Sequence, residues 1–357
     1  MRKNKIVIIS LLAPFLIFVS ISTHGAIMEA FPAPSNSISP KDEGGIFSLR
    51  AVGDKLNNVS ELDTPYVAGL SVRFEWQSVE PNPGEFNWSL LDKAHELTVA
   101  KNKLLMIRVT AGMFSPAWIY KQGVGKITFH GDESNFMKPD SIAVMPVPWD
   151  EAYLAAWEKF ITALGNKISG WSNVYCVQMT GGGFICEMHL PKKRASTIRE
   201  WKNAGINDKT VFRMWQRIIE IYDKHIPQGI GLALNLGVPF EQSKTPELVY
   251  EYALDKYPKR VWFQQDGLQE VYPSTRRWSK MIRKAARKTV VGYQMLGGGK
   301  FLDAETGNRK IAFEHAIEDG CSYVEVYTAD VRNPKWQDAM VFLANGLAKN
   351  IKKQFNQ

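Results

Sequence analysis

Three carboxylates stand where strand-like sequence gives way to a turn. Glu187 closes the stretch NVYCVQMTGGGFICEMHLP (173–191). Val174, Cys176 and Val177 suit a buried parallel strand. Gly181, Gly182 and Gly183 then break it, and Glu187 and His189 follow just beyond. Many α/β enzymes present a catalytic group in this way; a βα loop with a solvated glutamate and a plain loop histidine reads equally well. Glu325 lies inside CSYVEVYTAD (321–330), an otherwise apolar and aromatic strand. A charge there is expensive unless paired or employed. Glu325 therefore either faces an active-site mouth as a nucleophile or forms a buried ion pair, with Arg73 or Arg108 as the partner. Asp266, in VWFQQDGLQ (261–269), is the alternative second carboxylate. Glu75 and Asp330 read as solvated or supporting groups.

These residues need a frame. Strand signals fall at 46–52, 67–76, 104–110, 174–180, 230–236, 261–265, 289–295 and 322–327. Helical spacing follows at 88–100, 150–166, 208–225, 246–256, 275–287, 308–318 and 334–352. In 150–166, for example, Tyr153, Leu154, Trp157, Phe160, Ile161 and Leu164 fall on one face. Alternating strands and helices imply a parallel sheet with helices outside. Eight strands with a final helix favour a closed (β/α)₈ TIM barrel over an open sheet, and no GxGxxG follows the first strand. The first unit is the weakest, with little room for a helix between 52 and 67. The connection 111–149 is too long for a βα turn and reads as a functional loop.

The chain has 357 residues, enough for one large barrel, which takes about 250 residues plus insertions. Arg2, Lys3 and Lys5 precede an apolar run at 6–21 and small residues up to Ala26, the order of a secretory signal peptide. The expected layout is a signal peptide at 1–26, a Pro/Ser/Gly-rich lead-in at 27–44 and a single barrel at 45–357. Export to the periplasm or beyond follows, with no membrane association after cleavage. The formal charge of +8 loses three positive residues with the leader, and the remaining basic residues are scattered. A nucleic-acid footprint would be denser and one-sided. Cys176, Cys186 and Cys321 are an odd set, read as buried free thiols. No HExxH or HxH is present, so neither a metal nor another cofactor is expected. Eleven Trp and twelve Tyr suit a cleft that stacks flat apolar faces.

Residues 71–92 read SVRFEWQSVEPNPGEFNWSLLD. Trp76, Glu80, Pro81, Gly84, Phe86, Asn87 and Trp88 fill a W-x-x-x-E-P-x-x-G-x-[YF]-[DN]-[WF] pattern. That segment resembles the one after the second strand of clan A glycoside hydrolases, especially the β-galactosidase-like family 42. Pro116 and Trp118 match the Pro-x-Trp loop after the third strand, and the resemblance runs over roughly 67–160. It implies a (β/α)₈ barrel and a carbohydrate substrate cleaved by two carboxylates, one protonating the leaving oxygen and one attacking or stabilising the anomeric carbon. On that pattern Glu187, after the fourth strand, is the acid/base. Glu187 lies further out than the family's Asn-Glu pair, and the seventh strand offers Gln294 where the family has its nucleophile. Glu325 on the eighth strand is then the expected nucleophile of a retaining enzyme. Trp76, Trp118, Trp149 and Trp262 are candidate sugar platforms, two of the four being expected at the cleft. Gln264, Asp266 and Gln294 would meet sugar hydroxyls. A catalytically inactive carbohydrate-binding barrel is the alternative, and the oligomeric state is left open.

Overall fold

In the computed structural model, residues 44–133, 137–271, 275–297 and 307–355 are described. Of the leader and lead-in expected at 1–44, residues 1–43 lie outside them. Eight parallel strands close into a barrel. In chain order they are β1 (Gly45–Val52), β2 (Val67–Glu75), β3 (Leu104–Thr110), β6 (Val174–Met179), β7 (Gly231–Leu236), β8 (Val261–Leu268), β9 (Val291–Met295) and β10 (Tyr323–Tyr327). β10 pairs with β1 from Gly45↔Tyr323 to Leu49↔Tyr327, which closes the ring. The architecture and all eight strands agree with the sequence reading.

Helices cover the outside at Ser89–Ala100, Glu151–Lys167, Asp208–His225, Thr245–Lys256, Thr275–Ala285, Arg309–Glu318 and Gln337–Phe355, with an additional one at Ala195–Asn203. Several starts are legible in the residues. Asp150 accepts from the amides of Ala152 and Tyr153, and Asn207 and Asn308 cap the helices that follow them. The first unit has only a 3₁₀ turn, Ser60–Asp63, in place of a helix. Its Glu61 is buried and takes up Arg50 at 2.6 Å and Arg332, tying the first strand to the segment after the last.

The long connection after β3 contains an antiparallel hairpin, β4 (Lys126–His130) with β5 (Ile142–Pro146). Periodicity over so short a span did not single it out. Ile127, Phe129 and Met145 form a small core with Leu190 and Trp201, so the hairpin packs against the segment after β6.

The barrel interior is stratified. At the amino-terminal end Phe47, Tyr175, Trp262 and Tyr323 fill the lumen with rings, Phe47 on Tyr175 at 5.0 Å and Tyr175 against Trp262 at 4.8 Å. Gly231 and Gly292 make the room, since a Cβ there would strike the rings of Trp262 and Tyr323. Trp262 is fully buried. It is a plug at the barrel floor and has no face to offer a sugar, contrary to the expectation from its strand. Trp262→Ala should cost about 3–5 kcal/mol of stability in urea unfolding. A loss under about 1 kcal/mol would show that the floor is not close-packed around it.

Candidate active site

Above the aromatic floor the lumen turns polar, and the strand period of two explains how. Side chains two apart share a face, so Ser71 and Arg73, Gln264 and Asp266, and single residues from β3, β6, β7, β9 and β10 all point inward. Glu325 is at the centre, fully buried. Its Oε1 accepts from Ser71 Oγ and from Gln178 Nε2 at 3.0 Å. Its Oε2 accepts from Arg108 Nη2 at 2.8 Å and from Gln264 Nε2 at 2.5 Å. A carboxylate has about four acceptor positions, and all four are used. Of the two readings open to Glu325 in the sequence, the geometry carries the buried ion pair, and the partner is Arg108.

Arg108 links this layer to the next. Its Nη1 donates to Gln294 Oε1 at 3.1 Å and lies 3.6 Å from Asp266 Oδ2. Asp266 also accepts from Gln264 Nε2 at 2.7 Å and Asn235 Nδ2 at 3.1 Å. Asp266 lies within β8, which runs three residues beyond the strand predicted for it, past a register shift between Gln265 and Leu268. Gln264 and Gln294 are both buried in this network. Gln264 also accepts from Tyr323 Oη at 2.9 Å.

Glu187 reaches the same place from the other side of the mouth. After β6 the chain folds back sharply. Gly181 adopts φ +102°, and a Cβ on Gly183 would overlap the carbonyl oxygen of Glu187. Phe184 N donates to His189 O at 2.9 Å, and Met113 N to Phe184 O at 2.9 Å. The hairpin buttresses this loop. Phe129 meets Phe184 edge-on at 6.2 Å, and buried Glu133 accepts from the amides of Lys193 and Arg194 and from Thr197 Oγ1. The glycines thus return Glu187 to the barrel mouth. There it is half-buried and stands close enough to Asp266 for the two carboxyls to perturb each other.

Two carboxylates in contact hold one proton between them. Burial pushes Asp266 well above the ordinary carboxylate range; Arg108 opposes this, while the charges of Glu187 and Glu325 and the hydrogen bond to Glu187 reinforce it. Burial also raises Glu187, but the hydrogen bond from Asp266 and the positive charges of Arg108 and His189 outweigh it, leaving Glu187 below its usual value. Asp266 is thus the group that holds a proton more tightly, and Glu187 the one that gives it up more readily.

The remaining expected site residues stand elsewhere. Trp76 is fully buried among Trp118, Tyr153, Trp157 and Phe160, and its Nε1 donates to Glu80 Oε2 at 2.8 Å. It has no face to present to a sugar. Glu80 also accepts from Gly84 N at 2.8 Å, and its carbonyl oxygen from Trp118 Nε1 at 3.0 Å. The W-x-x-x-E-P-x-x-G pattern is therefore a knot of structural hydrogen bonds. Trp118 is half-buried and lines a cavity of about 610 Å³ with Phe86, Gln122, Lys159 and Asn166, outside the strands. Trp149 donates to Ala204 O at 2.8 Å and packs on Trp201. His189 is exposed, its Nδ1 3.1 Å from Val238 O. Asp330 is buried against Arg309 at 3.1 Å, and Glu75 accepts from its neighbours Gln77 and Ser78. All three cysteines are buried free thiols. No group of three or more His, Cys, Asp or Glu among the described residues is arranged to hold a metal ion.

The sequence reading passed over Ser71, Gln178 and Asn235. A signal was available: seven of the eight barrel strands carry a polar residue on the inward face near the carboxyl end.

The barrel is similar to two solved structures. One is the catalytic domain of β-amylase from Paenibacillus polymyxa, with a TM-score of 0.57 at 10% identity, covering 88% of this chain and 99% of that one. The other is β-galactosidase from the psychrophilic Marinomonas ef1, with a TM-score of 0.50 at 10% identity over 84% of this chain. The chain spans 59% of the length of that β-galactosidase. The likeness is one of fold. No family model and no curated protein matches the sequence.

Carbon-13 NMR of the carboxyl groups reads the shared proton directly. Asp266 should remain protonated well above the ordinary pKa of about 4, while Glu187 titrates below its usual value. Glu187→Gln removes a negative neighbour and should bring Asp266 down. Ordinary titration of both groups in the unaltered chain would contradict the pairing.

Proposed function

We propose that this chain is a retaining glycoside hydrolase whose reacting carboxylates are Asp266 and Glu187. The observation that carries the reading is the contact of these two groups at the mouth of a (β/α)₈ barrel, with their proton affinities pushed in opposite directions. Paired carboxylates separated in this way divide into an acid and a base or nucleophile. The β-amylase and β-galactosidase barrels lend the substrate class, as does the resemblance over 67–160.

The roles differ from those implied by that resemblance. Asp266, protonated, gives its proton to the glycosidic oxygen as the C–O bond breaks. Glu187, ionised, attacks the anomeric carbon and forms a glycosyl ester. Asp266, now a carboxylate, takes a proton from water as that water displaces Glu187, which restores both groups. In the free chain Glu187 is the acceptor of Asp266's proton. Substrate binding replaces it with the leaving oxygen and parts the carboxyls to the roughly 5–5.5 Å that retention uses; inversion needs roughly 6.5–9.5 Å. Glu325 has no acceptor position left for an anomeric carbon and acts as the counter-charge of Arg108. The basic and then apolar residues expected to form a signal peptide at 1–26 support action outside the cytoplasm.

Gln294 in place of a carboxylate on β9, and two fully buried tryptophans among the four candidate platforms, favour a second reading, a barrel that binds carbohydrate without cleaving it. Incubation with a panel of plant, algal and bacterial glycans, followed by proton NMR of released sugars, decides between them. The expected result is release of sugar with its anomeric configuration retained. Glu187→Gln and Asp266→Asn should each lose about 10²–10⁴-fold in kcat, the usual worth of general acid–base groups. Glu325→Gln should instead cost about 3–5 kcal/mol of stability by leaving Arg108 buried without its partner. Binding without turnover, unchanged by Glu187→Gln and Asp266→Asn, would select the binding barrel.

A further inference from the structure

Five arginines are buried among the described residues: Arg50, Arg73, Arg108, Arg260 and Arg309. Four have a carboxylate partner. Arg50 meets Glu61 at 2.6 Å, Arg108 meets Glu325 at 2.8 Å, Arg260 meets Asp223 at 3.1 Å and Arg309 meets Asp330 at 3.1 Å. Arg73 is the exception. It is 8% exposed, and its Nε donates to the carbonyl oxygen of Arg50 at 2.7 Å. Its two terminal nitrogens have no partner among the described residues.

A mostly buried arginine without a carboxylate partner is uncommon, and here the unpartnered end of the fork is what keeps contact with solvent. The surroundings of Arg73 make the omission more costly. It stands level with Arg108 in the β2–β3 register, one cation beside another. It is also two residues beyond Ser71, whose hydroxyl bonds Glu325 in the lumen, so its side chain belongs to the interior face one layer higher. That layer is the mouth, where Tyr327 and Cys186 lie within electrostatic reach of Arg73, Arg108, Asp266 and Glu187 alike. Arg108 is held by Glu325 at 2.8 Å and lies 3.6 Å from Asp266, which in turn stands beside Glu187. One guanidinium fork is left at the mouth with no carboxylate in direct contact with it.

We propose that Arg73 is a specificity residue that receives the carboxylate of a uronic acid unit in the substrate, which makes the substrate an acidic glycan. The assignment rests on the glycoside hydrolase reading for the substrate being a sugar, and on the unpaired fork for its being anionic. A planar carboxylate matches the two parallel N–H donors of a guanidinium. A sulfate ester shares the charge but not the planarity. The site is a fixed charge set in advance of the ligand, so a bound uronate recovers the interaction that the folded chain forgoes.

The test is isothermal titration calorimetry on the full chain at low ionic strength. The ligands are oligogalacturonate, oligoglucuronate and oligomannuronate, the neutral galacto-, gluco- and manno-oligosaccharides of the same linkage, and sulfated forms of the neutral set. At least one oligouronide should bind ten-fold or more tighter than its neutral counterpart and tighter than the sulfated one. Arg73→Gln should reduce it to the neutral level, and Arg73→Lys, which keeps the charge but not the fork, should retain part of the preference. Because Arg73→Gln removes a charge that has no carboxylate partner, its unfolding temperature should stay level or rise, whereas an arginine with a structural role would lower it. Equal binding of neutral and uronic ligands, tighter binding of the sulfated set, no binding of any oligouronide, or a preference that survives Arg73→Gln would each overturn the proposal. Uronide binding without cleavage would uphold it while removing the hydrolase reading. Cleavage of a neutral glycan without uronide preference would do the reverse.

Discussion

The arrangement of the barrel mouth depends on one buried charge. Glu325 is out of water, and a carboxylate in that position is tolerated only when its acceptor positions are filled. Four strands supply the donors, with Ser71 from β2, Arg108 from β3, Gln178 from β6 and Gln264 from β8. Each of these residues is thereby fixed in rotamer and direction. The fixing passes upward, because Gln264 and Arg108 are also the groups that face Asp266. A half-satisfied network of this kind would be worse than an apolar core. Glu325 itself is fully satisfied and so makes a rigid anchor for the layer above, while Arg108 Nε and Asn235 Oδ1 at its edge have no hydrogen-bond partner.

The two carboxylates at the mouth are held by different means. Asp266 belongs to a strand and to the network beneath it. Glu187 belongs to a loop, and its placement rests on local backbone reversal and on the hairpin after β3. Glu133 in that insertion takes up the first amides of the segment at 193–194, and Phe129 supports Phe184. One partner is thus immobile by packing within the barrel, while the other is carried by a loop with its own small core. On the proposed function, that asymmetry suits a pair that opens to admit a substrate and closes again afterwards.

Much of this was legible in the residues. The alternation of apolar strands and amphipathic helices gave all eight barrel strands because both faces of such strands are buried and their runs are strongly apolar. Glu187, Asp266 and Glu325 were visible as charges out of keeping with their surroundings. Their division of labour was not, since it depends on which donors converge from strands far apart in sequence. Glu325 and Asp266 differ in setting because four donors fill the first, while the second has Gln264 and Asn235 beneath it and a loop carboxylate beside it. The tryptophans misled for a related reason. Composition shows that a ring is present, and only packing shows that Trp262 points to the floor and Trp76 to the helices. The hairpin at 126–146 was missed because its strands are five residues each, too short for periodicity to register.

The central claim is that Glu187 and Asp266, and not Glu325, meet the sugar. The most direct measurement is to trap the glycosyl-enzyme intermediate with a 2-deoxy-2-fluoro glycoside of the sugar that the chain releases, then to sequence the labelled peptide by mass spectrometry. The account predicts a single label on Glu187, in the peptide that carries TGGGFICEMHLP. A label on Glu325, in the peptide that carries YVEVY, would contradict it.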